Sequence, residues 1–479
     1  MCYTRRKTSL YTIQHNQFIP SDLRGKIINN SISILALARN SKSALEATVE
    51  SVRNFFDAEN VNLIVVDNAS EDGLSEWAKE QQDLSYVYMD QGFEPWGSVL
   101  NQVIKAFEIQ DLAMILAPGM TLTPSGIKSM CDALKSTEPL AAVAAVNNTA
   151  RSHMAAPETR YQTYPDALEY AKSHENDAFK QAMEVEQYCT MFTITSYNHV
   201  GGFQDDLKTL TGVFNDFSRK LLLTGFRMGV CRNIITFNAI GRTMPEETDF
   251  GEEDRVILRK SWGTSYFGLN GNYNLVSKIY ADTNAEITVL EIGCDCGATL
   301  FDIKQIYPHA KIIGCDINEN ALKVAACVCD QVFTSNIDTD DLPLPENSVD
   351  YIIFGDVLEH LRDPEGVLIK IQKNLKPNGH VIASIPNLMN ISVIKQLLHG
   401  DFTYADMGLL DRTHIHFFTY NEMLRMFFRA GYKPKDVSSV LSNLTDTDEK
   451  IIDTLLSLDQ TPEKFMYQAF QYVIDAVRK

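Results

Sequence analysis

Ile287-Thr-Val-Leu-Glu-Ile-Gly-Cys-Asp-Cys-Gly297 reads as a short apolar strand running into a glycine-bearing turn, and Ala298 to Ile306 follows with helical spacing. Such a turn lets the backbone approach a ligand closely, and a helix amino terminus offers it free N–H groups. The next strand, Lys311-Ile-Ile-Gly-Cys315, ends at Asp316, 19 residues beyond Gly297. Doubly wound sheets place an acid there, where its two oxygens accept the hydroxyl protons of a ribose. The competing reading makes Asp316 a cap for helix-like Glu319 to Ala326; strand, turn and acid together favour the ribose.

The same strand–helix alternation runs on to about Val437 and carries further motifs. They are Asp341-Leu-Pro-Leu-Pro-Glu-Asn-Ser-Val-Asp350, Phe354-Gly-Asp-Val-Leu-Glu-His-Leu-Arg-Asp-Pro364, Leu375-Lys-Pro-Asn-Gly379 and Ala383-Ser-Ile-Pro-Asn387. With Val289 to Gly297 they resemble class I S-adenosyl-L-methionine-dependent methyltransferases over about 150 residues. Leu410-Asp-Arg-Thr-His-Ile-His-Phe-Phe-Thr419 is similar to a signature of the branch acting on sugars, quinones and other small hydroxyl compounds. The resemblance implies a Rossmann-like domain with S-adenosyl-L-methionine as cofactor. Glu291, Gly293 and Gly297 would form the methionine-binding turn, and Asp316 would hold the ribose. Ile317, Asn336 and Ile337 would flank the adenine, and Asp356 would follow the fourth strand. One departure stands in the turn, where Asp295 replaces the middle glycine and sets a carboxylate near the cofactor's own.

Methyl transfer to a hydroxyl needs alignment and a base. His360, His414, His416 and Asp411 are the candidates near this site. His414 and His416 would share a face if their segment were a strand, so a metal reading stands beside that of hydrogen-bonded structural residues. Cys294/Cys296 and Cys327/Cys329 are spaced one residue apart, too close for usual zinc pairs, and no metal is assigned.

The first half alternates in the same way. Ser31 to Ala38 and Val61 to Val66 are buried-type strands around a helix from Ser43 to Phe56, and Leu112 to Leu116 is a third. Residues 31 to 240 resemble a family 2, GT-A-fold glycosyltransferase. The resemblance rests on Ser31 to Asn40, Leu63-Ile-Val-Val-Asp-Asn-Ala-Ser-Glu-Asp-Gly73, Gly97 to Ile104, Gly201-Gly-Phe203 and Asn215-Asp-Phe-Ser-Arg219. It implies a nucleotide-sugar donor held by Asn40, Asp67 and Asn101, with Asp216 as the base that deprotonates the acceptor. Where the family has metal-binding acids, this sequence reads Leu116-Ala-Pro-Gly-Met-Thr121, and the histidine expected near Phe237-Asn238 is missing. A divalent metal is therefore left without its side-chain ligands. Either transfer proceeds without metal, with Arg or Lys steadying the leaving group, or the domain has lost it.

The chain of 479 residues is thus expected to be α/β, with two doubly wound domains. The boundaries are an irregular extension (1–30), a GT-A-like domain (31–240), a linker with a short helical element (241–285), a methyltransferase domain (286–440) and a helical amphipathic tail (441–479) suited to packing against a second subunit. Together the halves resemble bacterial bifunctional glycosyltransferase/methyltransferase proteins, which implies methylation of a surface glycan or sugar hydroxyl. The alternative is a methyltransferase whose first domain is a non-catalytic carbohydrate- or nucleotide-binding module. A net charge of −19 disfavours nucleic acid and leaves a small molecule or glycan as the expected substrate. No apolar run approaches membrane-spanning length, no secretory signal is visible, and nine scattered cysteines fit a reducing cytoplasm.

Overall fold

The structure, a computed structural model, describes residues 9–13, 32–55, 61–122, 126–135, 140–147, 163–174, 179–238, 251–262 and 268–478. The sequence readings at Ser31 and Phe56, and residues 241–250 and 263–267 of the expected linker, lie outside them. The chain divides into two compact units, Met1–Asn270 and Gly271–Lys479. Among the described residues no helix is long and apolar enough to cross a membrane.

Ten strands build the first unit's sheet among the described residues. They are β1 (Ser9–Ile13), β2 (Ile32–Ala38), β3 (Val61–Asp67), β4 (Ser85–Met89), β5 (Leu112–Leu116), β6 (Met120–Thr121), β7 (Ala142–Asn147), β8 (Phe179–Ala182), β9 (Cys189–Thr193) and β10 (Met228–Asn238). The order is β1-β4-β3-β2-β5-β9-β7-β10-β6, with β8 also on β10. Strands β1 to β5 run parallel, while β9 is antiparallel to both neighbours. Every residue of β2 is buried, which explains its unbroken apolar reading: helices cover both faces of a central parallel strand. Strand β1 corrects the expectation of an irregular extension, since Ser9 to Ile13 pairs with Ser85 to Met89.

The supposed linker is also corrected. Helix Glu252–Trp262 is tied to the first unit by buried Asp254, which accepts hydrogen bonds from the Lys208 and Thr209 N–H groups at 2.8 and 2.9 Å. Leu275, Val276 and Ile279 belong instead to the core of the second unit. Hydrogen bonds thus hold 252–262 to the first unit, and apolar packing holds 275–279 to the second.

The second sheet holds β11 (Thr288–Ile292), β12 (Lys311–Asp316), β13 (Gln331–Thr334), β14 (Val349–Gly355), β15 (Leu375–Pro386), β16 (Tyr432–Leu441) and β17 (Ala469–Arg478), in the order β13-β12-β11-β14-β15-β17-β16. The first five are parallel, and β17 runs antiparallel between β15 and β16. The chain leaves β11 toward β12 and β13, then returns to its other side at β14. That reversal opens a crevice at the carboxyl ends of β11 and β14, the usual ligand position in such sheets.

Strand β17 corrects the helical tail. Helices Asp446–Leu458 and Lys464–Gln468 do form, but Ala469 to Arg478 is a central strand. Tyr472, Val473, Ile474, Asp475 and Ala476 are all buried, so neither face shows the polar alternation that marks a strand. Ala469 and Val473 are spent inside the sheet, whereas Leu458 and Phe470 stay exposed.

Candidate active site

The β11 turn closes on β12 through backbone. The Gly293 and Cys294 N–H groups both donate to the Cys315 carbonyl, at 2.8 and 3.1 Å. Gly293 has φ +73°, and a Cβ there would stand 2.4 Å from Val357 Cγ2, so the place admits only glycine. Gly297, φ +80°, starts helix Ala298–Ile306, and no side chain caps it. Its first N–H groups are open to an anion such as a methionine carboxylate. Asp295, with φ +45°, stands in the left-handed region that the missing glycine would occupy without strain.

Glu291 lies beneath the turn, 4% exposed, with Oε2 buried and without a hydrogen-bond partner. Burial pushes its carboxyl up to about 8. A buried acid with an unused oxygen beside an anion-binding helix end is what the ammonium and carboxylate of an amino acid require together. Asp316 uses one oxygen for the Asp295 N–H and the other for the Asn318 N–H, both at 2.8 Å. Each oxygen keeps further accepting capacity, and the side chain is only half-buried. Helix capping at this place falls to Asn318, which accepts from the Asn320 and Ala321 N–H groups.

The adenine-flanking residues divide. Ile317 is 71% exposed, an apolar surface with no core to join. Asn336 is exposed and folds its own loop, accepting from the Asp338 N–H at 3.1 Å. Ile337 is different: its side chain is buried in the core with Leu342 and Leu358, so the structure gives it a packing role. Asp356, φ +53°, follows β14, donates its N–H to Ser384 Oγ at 3.0 Å and accepts from Gln471 Nε2 at 3.0 Å. Ser384 and Gln471 were not among the residues expected from sequence. Gln471 comes from β17 and was hidden by the helical reading of the tail.

Past Asp356, a turn at Leu358–His360 meets the loop 409–416. The Glu359 carbonyl accepts from the Ile415 and His416 N–H groups at 2.9 and 3.0 Å. Asp411 accepts from Thr413 N–H and Oγ1 at 2.7 and 2.6 Å, so it shapes this loop. The imidazoles of His360 and His414 stand edge to face, 4.8 Å between centroids. Burial and the neighbouring His360 lower the pKa of His414. The expected pairing of His414 with His416 is not found, because the loop is not a strand; His416 Nε2 donates to the Arg362 carbonyl at 3.2 Å. Glu359 is not among the candidates that the sequence offers, although an acid preceding a histidine at the end of a buried strand is the signal for it.

In the first unit Asp67 and Asp216 turn inward, Asn101 is half-buried and Asn40 is exposed. Asp67 is wholly buried and accepts from Ser70 N–H at 2.8 Å and Tyr86 Oη at 2.5 Å, and burial raises its pKa. Asn101 is saturated: it donates to the Phe203 carbonyl and Asp205 Oδ1 and accepts from Tyr197 Oη and the Phe203 N–H. It clamps a loop and has no donor left for a sugar. Asn40, φ +47°, accepts from the Glu71 N–H at 2.8 Å and ties two loops together. Asp216 is wholly buried between Arg219 at 2.9 Å and Lys220 at 2.7 Å, the geometry of an ion-pair centre rather than of a base open to an acceptor. Arg219 in turn lies over the Trp262 ring at 3.2 Å. Ala117 and Met120 are buried core, and Gly119 donates its N–H to the Ala44 carbonyl.

Residues 33–146 match the model of the family "Glycosyl transferase family 2", and residues 271–437 match that of "Methyltransferase domain". The chain therefore carries a family 2 glycosyltransferase domain followed by a Rossmann-like class I methyltransferase domain. It is 25% identical over 161 residues to the ubiquinone biosynthesis O-methyltransferase of Acinetobacter baylyi, covering 32% of this chain and 67% of that one. It is 26% identical over 168 residues to a tRNA N(3)-cytidine methyltransferase of Gallus gallus, covering 32% of this chain and 44% of the relative. A solved S-adenosylmethionine-dependent methyltransferase from Mesorhizobium loti aligns at 14% identity and a TM-score of 0.29, over 42% of this chain and 95% of its own.

Proposed function

We propose that this chain is an O-methyltransferase for a sugar or glycan hydroxyl, using S-adenosyl-L-methionine, and that its glycosyltransferase-type domain acts as a carbohydrate- or nucleotide-binding module. The first part rests on one observation: at the crevice between β11 and β14, Glu291 keeps an unpartnered buried oxygen, Asp316 keeps accepting capacity, and an uncapped helix end lies between them. Those groups fit, in turn, the ammonium, ribose hydroxyls and carboxylate of the cofactor. When bound, the cofactor supplies a methyl group on a positively charged sulfur. Transfer to a hydroxyl requires the acceptor oxygen to lose its proton, and the Glu359, His360 and His414 groups stand at the same sheet edge to assist. The O-methyltransferase of Acinetobacter baylyi supports oxygen as acceptor, and the family 2 domain on the same chain supports a sugar.

That the module is non-catalytic rests on Asp216, whose carboxylate is held between Arg219 and Lys220 and not left open to an acceptor; that it binds a carbohydrate or nucleotide rests on the family 2 match. Calorimetry with S-adenosylhomocysteine and with uridine diphosphate, each with and without manganese, tests both parts. Binding of the adenosyl ligand is expected in either condition. Failure to bind it would end the methyltransferase reading. Hydrolysis of a uridine-diphosphate sugar, abolished by Asp216→Asn, would replace the module with an active glycosyltransferase.

A further inference from the structure

Glu359, His360 and His414 each present a ligand-type atom, and these atoms all lie within 4.8 Å of one another. Among the described residues this is the one His, Cys, Asp or Glu group so assembled. Glu359 is 1% exposed, and neither of its carboxylate oxygens has a hydrogen-bond partner. A buried acid left wholly unsatisfied is costly, so something of positive charge belongs beside it. His414 Nε2 faces Glu359 Oε1 at 4.0 Å.

The groups that hold the two imidazoles point the same way. His414 Nδ1 lies 3.3 Å from the Leu409 carbonyl, and His360 Nδ1 lies 3.2 Å from the Thr413 carbonyl. A carbonyl only accepts, and the Thr413 hydroxyl that also lies 3.2 Å from His360 Nδ1 gives its hydrogen to Asp411, so both Nδ1 atoms carry the hydrogen and each Nε2 keeps its lone pair for a ligand. Metal-binding histidines are typically oriented in this way. Thr413 is held by Asp411 of the same loop, which adds negative charge around the group.

We propose that Glu359, His360 and His414 form a binding site for one divalent transition-metal ion, bound through one carboxylate oxygen and two imidazole nitrogens. Such a set suits zinc, cobalt or iron(II) and leaves coordination positions open. Bonds of about 2.0–2.1 Å would draw the three side chains inward by roughly an ångström from their present spacing. Resting on the methyltransferase reading, the open positions would take the acceptor hydroxyl. There the O–H bond would break with its electron pair left on oxygen and the proton passed to water, a step eased by the ion's charge.

The test uses the untagged full chain, stripped with a chelator and titrated with cobalt(II) and zinc(II) by calorimetry and visible absorption. Saturable binding of one ion per chain is expected, with a cobalt spectrum altered from that of the aqueous ion. Glu359→Gln and His414→Asn should each weaken it by at least about 100-fold, while His416→Asn, whose ring is bonded to the Arg362 carbonyl, should leave it unchanged. S-adenosylhomocysteine affinity, measured on the same samples, reports that each variant is folded. Absence of saturable binding in the parent, or binding retained by both Glu359→Gln and His414→Asn, overturns the site. Loss of adenosyl-ligand binding in the parent would instead strike the methyltransferase reading and leave the metal titration standing.

Discussion

Asp67 and Asp316 hold matching places in the two units. Each is the last residue of a parallel strand beside its sheet's first doubly wound strand, β3 next to β2 and β12 next to β11. Their surroundings differ. Asp67 is wholly buried, and a tyrosine hydroxyl and a backbone N–H occupy its oxygens. Asp316 is half-buried and meets only backbone N–H groups from its own turn and the adjoining one. The first acid completes a fold, while the second keeps capacity for a ligand. A motif locates an acid on a sheet edge; the neighbouring donors decide whether anything remains for a ligand to use.

The strongest test of this contrast is Asp216→Asn. It would leave Arg219 and Lys220 without their buried anion, and a loss of about 3 kcal/mol in the first unit's denaturant unfolding is expected. Binding of S-adenosylhomocysteine should not change. A fully stable variant would show that Asp216 is not an ion-pair centre. Asp316→Asn should do the reverse, cutting affinity for the adenosyl ligand on the order of 100-fold while sparing stability, because charge-assisted bonds to both ribose hydroxyls are lost. Equal affinity in this variant would erase the distinction between the two acids.

A pH series sharpens the comparison. The folded state holds the Glu291 proton up to about 8, whereas an unfolded chain loses it near 4.5. Protonation therefore favours folding in that interval. The contribution is complete below about 4.5, declines with rising pH by up to about 1.4 kcal/mol per unit, and is gone above about 8. Glu291→Gln should flatten this part of the second unit's stability curve, and an unchanged slope would discard the assignment. Adenosyl-ligand affinity should move the other way and strengthen toward pH 8, because the ammonium prefers the ionised acid. The smallest effect belongs to Asp295→Gly, which relieves a left-handed non-glycine residue and removes a carboxylate from the turn. A gain of about 1 kcal/mol in stability and a few-fold tighter binding are expected, and a weakened variant would mean that Asp295 contributes to the site.

Much of the second unit was legible because its signals are local. Val289 to Gly297 combines a strand, a turn demanding glycine and a helix start within one stretch, and Asp316 follows at a set distance. What escaped depends on distant partners. Gln471 reaches Asp356 only because β17 crosses the sheet, and β17 was unreadable because both of its faces are buried. Asn101 fits a family motif, yet its four hydrogen bonds go to Tyr197, Phe203 and Asp205, about a hundred residues away. His414 and His416 were paired by a strand periodicity that the loop does not have; the partner of His414 is His360, brought in from the end of β14.

Strand β17 also sets a timetable. Among the described residues it is the sole bridge between β15 and β16, so the sheet cannot close until residues 469 to 478 have been made. The six strands from β11 to β16 are synthesised earlier and must wait, with β15 showing an open ladder edge and β16 unattached. During translation this half of the chain is therefore a late finisher, exposed to wrong pairing and to chaperones for as long as the bridge is missing.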